Sequence, residues 1–567
     1  MKKLTALLLT AILALSGMAV VFAEGELPAW APQNWAEYDK LIGEIKSTTD
    51  FENRVKLMHE AEDMLMDTAA LLPIYYYNDV FMMKEGVEGF YSNVFGNKFF
   101  QYATYGDNSK LRINISSEPD KLDPALNSAV DGAILAIGSF GGLYTYDENG
   151  AYAPNFAESY EVSEDGLVYT FKMREGLKWS DGEELDANDF EYSWKRAASP
   201  VTAADYSYMF SGIKGYPEEL AVTASEDGKE FKVELMAPCA YMLDLCAFPT
   251  FFAVPEHVIE VAEGYKDADG NVVNPGAWAL EAGFVSSGAY KLESWAHNES
   301  MVYVKNENFW DAENVKIEKL EFMLSADETA IFAAYNAGDL DFIDTVPQDE
   351  IEGLKSNPEF YIIDNLGTYY INFNVHSKLF EGKTPEEAAF MRKGLSALID
   401  RPYIVETVGQ TGQLAATSFL PAGMADGNGG VFKDANGWEY PVEDGYFPVE
   451  RDVESGVELL KKAGFKFDDN NMLSAETPIS FEYLTNQTAG HVAIAEIVQS
   501  DLAEIGVNMT IKTVDWNVFL NERKAGNYDI ARNGWIADFN DPINMLEMWT
   551  TDSGNNDAQL GKPLSAE

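Results

Sequence analysis

Residues 72–91 read LPIYYYNDVFMMKEGVEGFY. A proline opens a tyrosine run, an Asn-Asp step interrupts it, and a second apolar run follows. Tyr, Phe, Ile and Val fit a pleated, half-buried surface, so the stretch predicts extended chain. Its residues suit the closing strands of a domain, where a chain returns to its core, yet they lie near the start of 567 residues. The residues around it sharpen the contrast. Leu57, Ala61, Met64 and Leu65 share one face of a helical pattern within 35–70, broken near Ser47-Thr48-Thr49, so two helices are expected before the run. Pro73 marks the switch, because the residue before a proline is biased away from helix. After the run, Gly106–Lys110 is a turn-rich joint, and LRINI (111–115) alternates at strand period.

The rest of the chain mixes strands and helices. Leu167, Tyr169, Phe171 and Met173 alternate as in a hairpin strand. Asp186 or Asn188 can cap the helix that carries Phe190, Tyr192 and Trp194. Residues 316–345 read strand, helix, strand, with Ala337-Gly338-Asp339 ending the helix. Two short helices are expected over 385–408 and an irregular Gly- and Asp-rich loop over 412–450. Helices follow at 452–464 and 488–506, the second leading into the strand VNMTIKTV (507–514). The order is too irregular for a single Rossmann or barrel unit and predicts an α/β or α+β protein.

Composition narrows the function. Hydrophobic content of 46% supports sizeable cores, and the length suits three or four domains or one large bilobal unit. With 40 Lys+Arg against 93 Asp+Glu, the net charge of −53 repels nucleic acid and anionic lipid. Residues 1–23 have a basic start, an apolar middle and the small residues Val21 and Ala23. This is a signal-peptide pattern with an uncleaved anchor as its rival; no Cys stands where a lipoprotein would be acylated. Export permits a disulfide between Cys239 and Cys246, although buried thiols are the default reading. The histidines at 59, 257, 297, 376 and 491 are scattered, which argues against a metal site, and no nucleophile elbow or phosphate loop is present. The chain therefore reads as a non-enzymatic exported protein without a cofactor.

The stretch YDIARNGWIADFNDP (528–542) carries more information. It places an Arg, an indole and a carboxylate along a short strand that ends in a turn, an arrangement suited to a cleft. Taken alone, it also fits a buried Trp among surface charges. Together with EPDKLDPA (118–125), SEDGLVYTFKMREGLKWSDGEELDANDFEYSWKR (163–196), FPTFFAVPEHV (248–258), SSGAYKLESW (286–295), NENFWD (306–311), AGDLD (337–341), GTYYINFN (367–374), DWNVFLNERKAG (515–526) and LPIYYYND (72–79), it resembles extracellular solute-binding family 5, the peptide-binding proteins of ABC importers.

The resemblance implies a bilobal periplasmic-binding-protein-like fold (α/β, type II, cluster C) with three domains in circularly permuted order. In the family, LPIYYYND closes the chain; here it precedes LRINISSEPDKLDPA. The implied layout is a signal peptide at 1–23, the displaced end of domain III at 24–78, domain I at 79–140 and 256–365, domain II at 141–255, and domain III at 366–567. The implied partners are a peptide and the permease and ATPase of an importer, with the protein itself a monomer and exported. A non-peptide ligand such as a sugar or nickel, or a signalling peptide, is the alternative on the same fold; a secreted hydrolase or scaffold is a third reading.

By the same resemblance, Asp538 takes the peptide's α-amino group and Trp535 walls a side-chain pocket. Asn533 and Ala537 offer backbone along one edge, and Ser128, Ala129 and Val130 along the other. Tyr206, Tyr77 and Tyr370 face the ligand, while Arg532, Arg523 and His491 meet its carboxyl end. Ile536 stands where some relatives carry Cys, and the segment between Gly212 and Val222 is shorter than in many of them, which puts ligand size in question.

Overall fold

The computed structural model describes residues 26–564 apart from Ser116, Glu443 and Asp444. The signal-peptide reading of 1–23 falls outside the described residues. Among the described residues, no helix is long and apolar enough to cross a membrane.

Helix α1 (Trp35–Ser47) buries Trp35, Tyr38, Ile42 and Ile45, spaced as one helical face. Helix α2 (Phe51–Asp67) begins after Asp50, whose carboxylate accepts from the amides of Glu52 and Asn53. The break predicted near residues 47–49 thus separates two helices, the second capped by Asp50. Strand β1 (Leu71–Met83) follows at once.

β1 lies in the middle of an eleven-stranded mixed sheet. On one side it pairs with Phe342–Ile343, beyond which lie Lys110–Asn114, Lys319–Met323, Ser300–Lys305 and Tyr290–Ala296. On the other side it runs antiparallel to the long strand Phe360–Phe373, from Leu71↔Asn372 to Met82↔Phe360. Then come Ile530–Ile536, Ser480–Asn486 and Asn508–Val514. β1 and Phe360–Phe373 are therefore shared by both halves of the sheet, and they form the crossover between two lobes. Register shifts fall between Pro73 and Tyr75 and between Tyr76 and Asn78. A proline cannot donate to the ladder, so it sits where the pairing is already irregular. A second, four-stranded sheet, ordered Val222–Ala224, Glu230–Glu234, Val168–Met173, Ala157–Val162, packs with helix Ala187–Ala198 on the first lobe. That helix resolves the choice of cap: Asp186 and Asp189 form a capping box.

The two helices that open the chain pack on its far end. Trp35 Nε1 donates to Trp549 O at 2.8 Å, and Tyr38 Oη to Leu546 O at 2.8 Å. Arg54 makes a bidentate pair with Asp541, both bonds 2.8 Å, and Lys46 pairs with Glu547. The amide of Leu564 donates to the carbonyl of Glu26 at 3.2 Å. Residues 26 and 564 therefore stand side by side within the second lobe.

Other expectations fare unevenly. Gly106 has φ +53, and the Asn108 amide closes a turn on Tyr105 O, as the joint required. Helix Glu328–Ala337 ends at Gly338, φ +79. The 412–450 segment is not wholly irregular: Leu414–Ala415 pairs with β1, and a 3-10 turn opens at Phe432 before the backbone breaks at Ala435 and Asn436. Short local pairing of this kind carries too few residues to show a period in sequence. Cys239 and Cys246 are free thiols.

Candidate functional site

Strand Ile530–Ile536 runs antiparallel to the crossover strand, with Trp535 opposite Thr368 and Asn533 opposite Tyr370. Where it ends, the chain turns through Ala537 and Asp538 into the helix Ile543–Glu547. This turn is the floor of a cavity of about 80 Å³ between the lobes. From the second lobe it is lined by Gly534, Trp535, Ile536 and Asp538, and from the first by Phe95, Asn127, Ser128, Ala129, Val130 and Tyr206 among others. A larger cavity of about 770 Å³ adjoins it across Phe95, lined by Tyr146, Tyr152, Glu148, Asp244 and Asp541.

Asp538 is half-buried and opens into the smaller cavity. Its Oδ1 accepts from Tyr206 Oη of the other lobe at 3.2 Å, and its Oδ2 accepts from Asn544 Nδ2 at 2.9 Å. Among the described residues no Lys, Arg or His pairs with it. Burial pushes its pKa up to about 7, against the lowering effect of the Asn544 and Tyr206 hydrogen bonds. A carboxylate with free lone pairs and no protein cation, at the bottom of an interlobe space, has the chemistry to accept a cation brought from outside.

Trp535 lines the same cavity; its Nε1 donates to Asn544 Oδ1 at 3.0 Å and its ring lies 5.9 Å from that of Tyr206. Gly534 is required by packing, because a Cβ there would run into the Tyr77 hydroxyl. Tyr77 thus reaches the strand from β1.

Several assigned residues stand elsewhere or are already engaged. The Ala537 amide donates to Leu366 O at 2.7 Å. In an antiparallel ladder the main-chain groups alternate between the two edges, so Trp535 and Asn533 turn theirs toward the crossover strand. Ala537, past the last pair, gives it only its amide, since the Leu366 amide donates to Val94 O. The outward-facing groups belong to Ile536 and to Gly534, whose amide is already taken by Asn533 Oδ1 at 2.8 Å, and not to Asn533. Period-2 reasoning about side chains does not reveal which parity faces which neighbour; only the register does. Asn533 instead donates from Nδ2 to Asp557 at 2.9 Å. Tyr370 is fully buried against Phe419 and Trp549 and does not line the cavity; its neighbour Tyr369 takes the other face, beside Tyr75 and Tyr77. On the opposite edge, Ala129 spends its amide on Asn127 Oδ1 and its carbonyl on Asn127 Nδ2 and the Ala133 amide. Ser128 lines the cavity and donates to Asp205 Oδ2 at 2.8 Å; Val130 opens the helix Val130–Ser139.

The basic residues divide. Arg523 pairs with Asp557 at 2.8 Å. Arg532 is buried, donates to Asn486 Oδ1 at 2.9 Å and lies over Phe519 and Trp516; among the described residues no carboxylate pairs with it. Burial lowers its pKa. His491 meets Tyr369 Oη at 3.2 Å, and burial holds it well below the usual imidazole range, hence neutral. Arg532 and His491 share the Tyr369 neighbourhood rather than the Asp538 cavity. Asn544, Phe95, Asn127 and Phe248 were missed. Asn544 carries no signal of its own in sequence: it shares the stretch INMLEMW (543–549) with Glu547, and nothing local sets it apart.

Contacts across the cavity mouth join the lobes. Lys524 pairs with Asp205 at 2.8 Å, Lys46 Nζ donates to Tyr208 O at 3.0 Å, and Tyr241 stacks on Phe539 at 4.3 Å.

This geometry has counterparts. Residues 151–557 match the model of the bacterial extracellular solute-binding proteins, family 5. The oligopeptide-binding protein OppA of Bacillus subtilis is 32% identical over 474 residues, 80% of each chain. The periplasmic oligopeptide-binding protein OppA of Salmonella typhimurium is 31% identical over 475 residues, 81% of this chain and 80% of that one. The crystal structure of Haemophilus influenzae OppA in complex with RPPGFSPFR superposes with a TM-score of 0.68 at 26% identity, over 80% of this chain and 85% of that one. With its mixed sheet, its two lobes and a family match that spans most of its length, this chain belongs to the bacterial extracellular solute-binding proteins, family 5.

Proposed function

We propose that the protein is an extracytoplasmic receptor that encloses oligopeptides between its lobes and hands them to an ABC importer. The observation that carries this reading is Asp538, an acid without a protein cation that faces an interlobe cavity. A peptide of any sequence shares a main chain and two charged ends with every other. An α-ammonium desolvated in that cavity needs a fixed carboxylate, since an unpaired buried charge is prohibitive. The carbonyl of Gly534, whose amide is held by Asn533 Oδ1, and the outward groups of Ile536 would pair with extended peptide as an added strand does. Trp535 and Tyr206 wall the first side chain, with Ser128 and Val130 opposite. Arg532, held by Asn486 and aromatic faces, would meet the carboxyl end of a ligand long enough to reach it. The relatives named above bear oligopeptide-binding names, and one solved neighbour holds a peptide. Capture followed by release suits an affinity near ~1 μM, about −8 kcal/mol.

The segment order is part of this reading. The alignments leave a fifth of the chain and a fifth of each curated relative unmatched. Residues 26–109 would supply the unmatched closing piece, with α1 and α2 completing domain III, β1 the crossover, and Gly106–Lys110 the joint into domain I. The adjacency of Glu26 and Leu564 supports this layout. The family and the signal-like pattern of residues 1–23 support export.

Mass spectrometry of ligand released from the purified native protein tests the reading. A mixture of short peptides with free amino ends is expected; a sugar, or no peptide at all, would overturn it.

A further inference from the structure

Asn544 is fully buried, and three of its polar contacts converge on the site. Its Oδ1 accepts from Trp535 Nε1 at 3.0 Å and from the Asp538 amide at 3.1 Å, while its Nδ2 donates to Asp538 Oδ2 at 2.9 Å. The orientation of the amide is dictated by its partners. Two N–H donors face one end and a carboxylate faces the other, so a flipped amide would oppose donor to donor and oxygen to oxygen. Among the described residues, no other side chain hydrogen-bonds both the Trp535 indole and the Asp538 carboxylate; Tyr206 bonds the acid but meets Trp535 only ring to ring.

We propose that Asn544 is the positioning residue of the anchor: this single buried amide locks the Trp535 indole and the Asp538 carboxylate into one rigid receptor and holds the carboxylate ready for an incoming cation. The inference rests on the reading of Asp538 as that anchor. Without the amide, two N–H groups lose their acceptor and Oδ2 loses its donor. Removing a donor from a carboxylate favours its neutral form, and a neutral acid does not grip an ammonium. The groups that face Asp538 do not replace what Asn544 supplies. Tyr206, Tyr208 and Tyr146 approach from the first lobe, and Tyr206 bonds only Oδ1. Glu547, on the helix of Asn544 itself, raises the acid's pKa further, and its cation Lys46 is occupied by Glu547 and Tyr208 O. The nearby Arg54 is committed to Asp541.

The test compares wild type, Asn544→Leu and Asn544→Ser by calorimetry with alanine peptides of three to five residues, free and N-acetylated, from about pH 5 to pH 9. Leu keeps the volume; Ser is too short to span both partners and guards against an Asn544→Leu chain that does not fold. A carboxylate left without its donor is less readily ionised and no longer held in place, so free peptides should bind about 10- to 100-fold more weakly at pH 8. The pH at which half the affinity is lost should move up by about one unit, because the missing donor no longer favours the ionised acid. A merely structural role would lower the melting temperature and leave that midpoint in place; an unmoved midpoint in a folded variant overturns the proposal. If wild type itself does not distinguish free from acetylated peptides, the reading of Asp538 fails, whatever Asn544 does.

Discussion

Three acids lie within ten residues at the same end of the second lobe, and they are treated differently. Asp541 holds the guanidinium of Arg54, and Glu547 holds the ammonium of Lys46; both cations come from the helices that open the chain. Asp538, three residues before Asp541, is given only a tyrosine hydroxyl and an amide. The paired acids fasten α1 and α2 to residues 541–551. The unpaired one faces the cavity. The same residue type serves assembly where a cation is built in and recognition where it is left out, because a buried carboxylate tolerates either a permanent partner or a borrowed one but not neither.

That contrast can be attacked at each acid. Arg54→Leu leaves Asp541 buried and uncompensated, and should cost about 3–5 kcal/mol of stability in urea unfolding. A loss under 1 kcal/mol would mean that the pair does not fasten the helices. Asp538→Asn should do the reverse in the empty protein. The wild-type acid has a folded pKa raised to about 7, so its stabilising contribution is complete only below its unfolded value and is lost as pH rises through 7. The amide removes that penalty, and the ligand-stripped variant should be more stable at pH 8 by about 2–4 kcal/mol, with no gain near pH 4. Equal melting temperatures at both pH values would place Asp538 in a solvated setting.

Binding should carry the same signature. An ammonium pairs with the ionised acid, so below about pH 7 each pH unit should weaken a free-amine peptide about tenfold, with a proton released on binding. Calorimetry in buffers of different ionisation enthalpy measures that proton directly. Lys524→Ala removes a half-exposed cross-lobe pair worth about 0–1 kcal/mol, and should weaken binding no more than about fivefold.

The fold was legible in sequence wherever a period or a cap announced itself. The two opening helices, the tyrosine strand, the Gly106 turn and the Gly338 stop all follow from local chemistry. The central place of β1 in the sheet is not local, and no period or cap in the LPIYYYND run announces it. The site was legible in part. Asp538, Trp535 and Tyr206 come together as expected. The backbone edge was assigned to the wrong parity, because alternation in a ladder is fixed by the partner strand. Tyr369 and Tyr370 look equivalent in sequence; one faces Tyr77 and the other the core, a choice made by pairing Phe360–Phe373 with Ile530–Ile536. Asn544 escaped notice because a single asparagine has no period, and its role exists only where three partners converge.

The most direct test of the account is the affinity of one peptide with its amino end free and with it acetylated, measured at pH 8 on wild type and on Asp538→Asn. Loss of the ammonium–carboxylate pair should cost the acetylated peptide about 100-fold or more on wild type, and Asp538→Asn should erase the difference between the two. Equal binding of both peptides by the wild-type protein would contradict it.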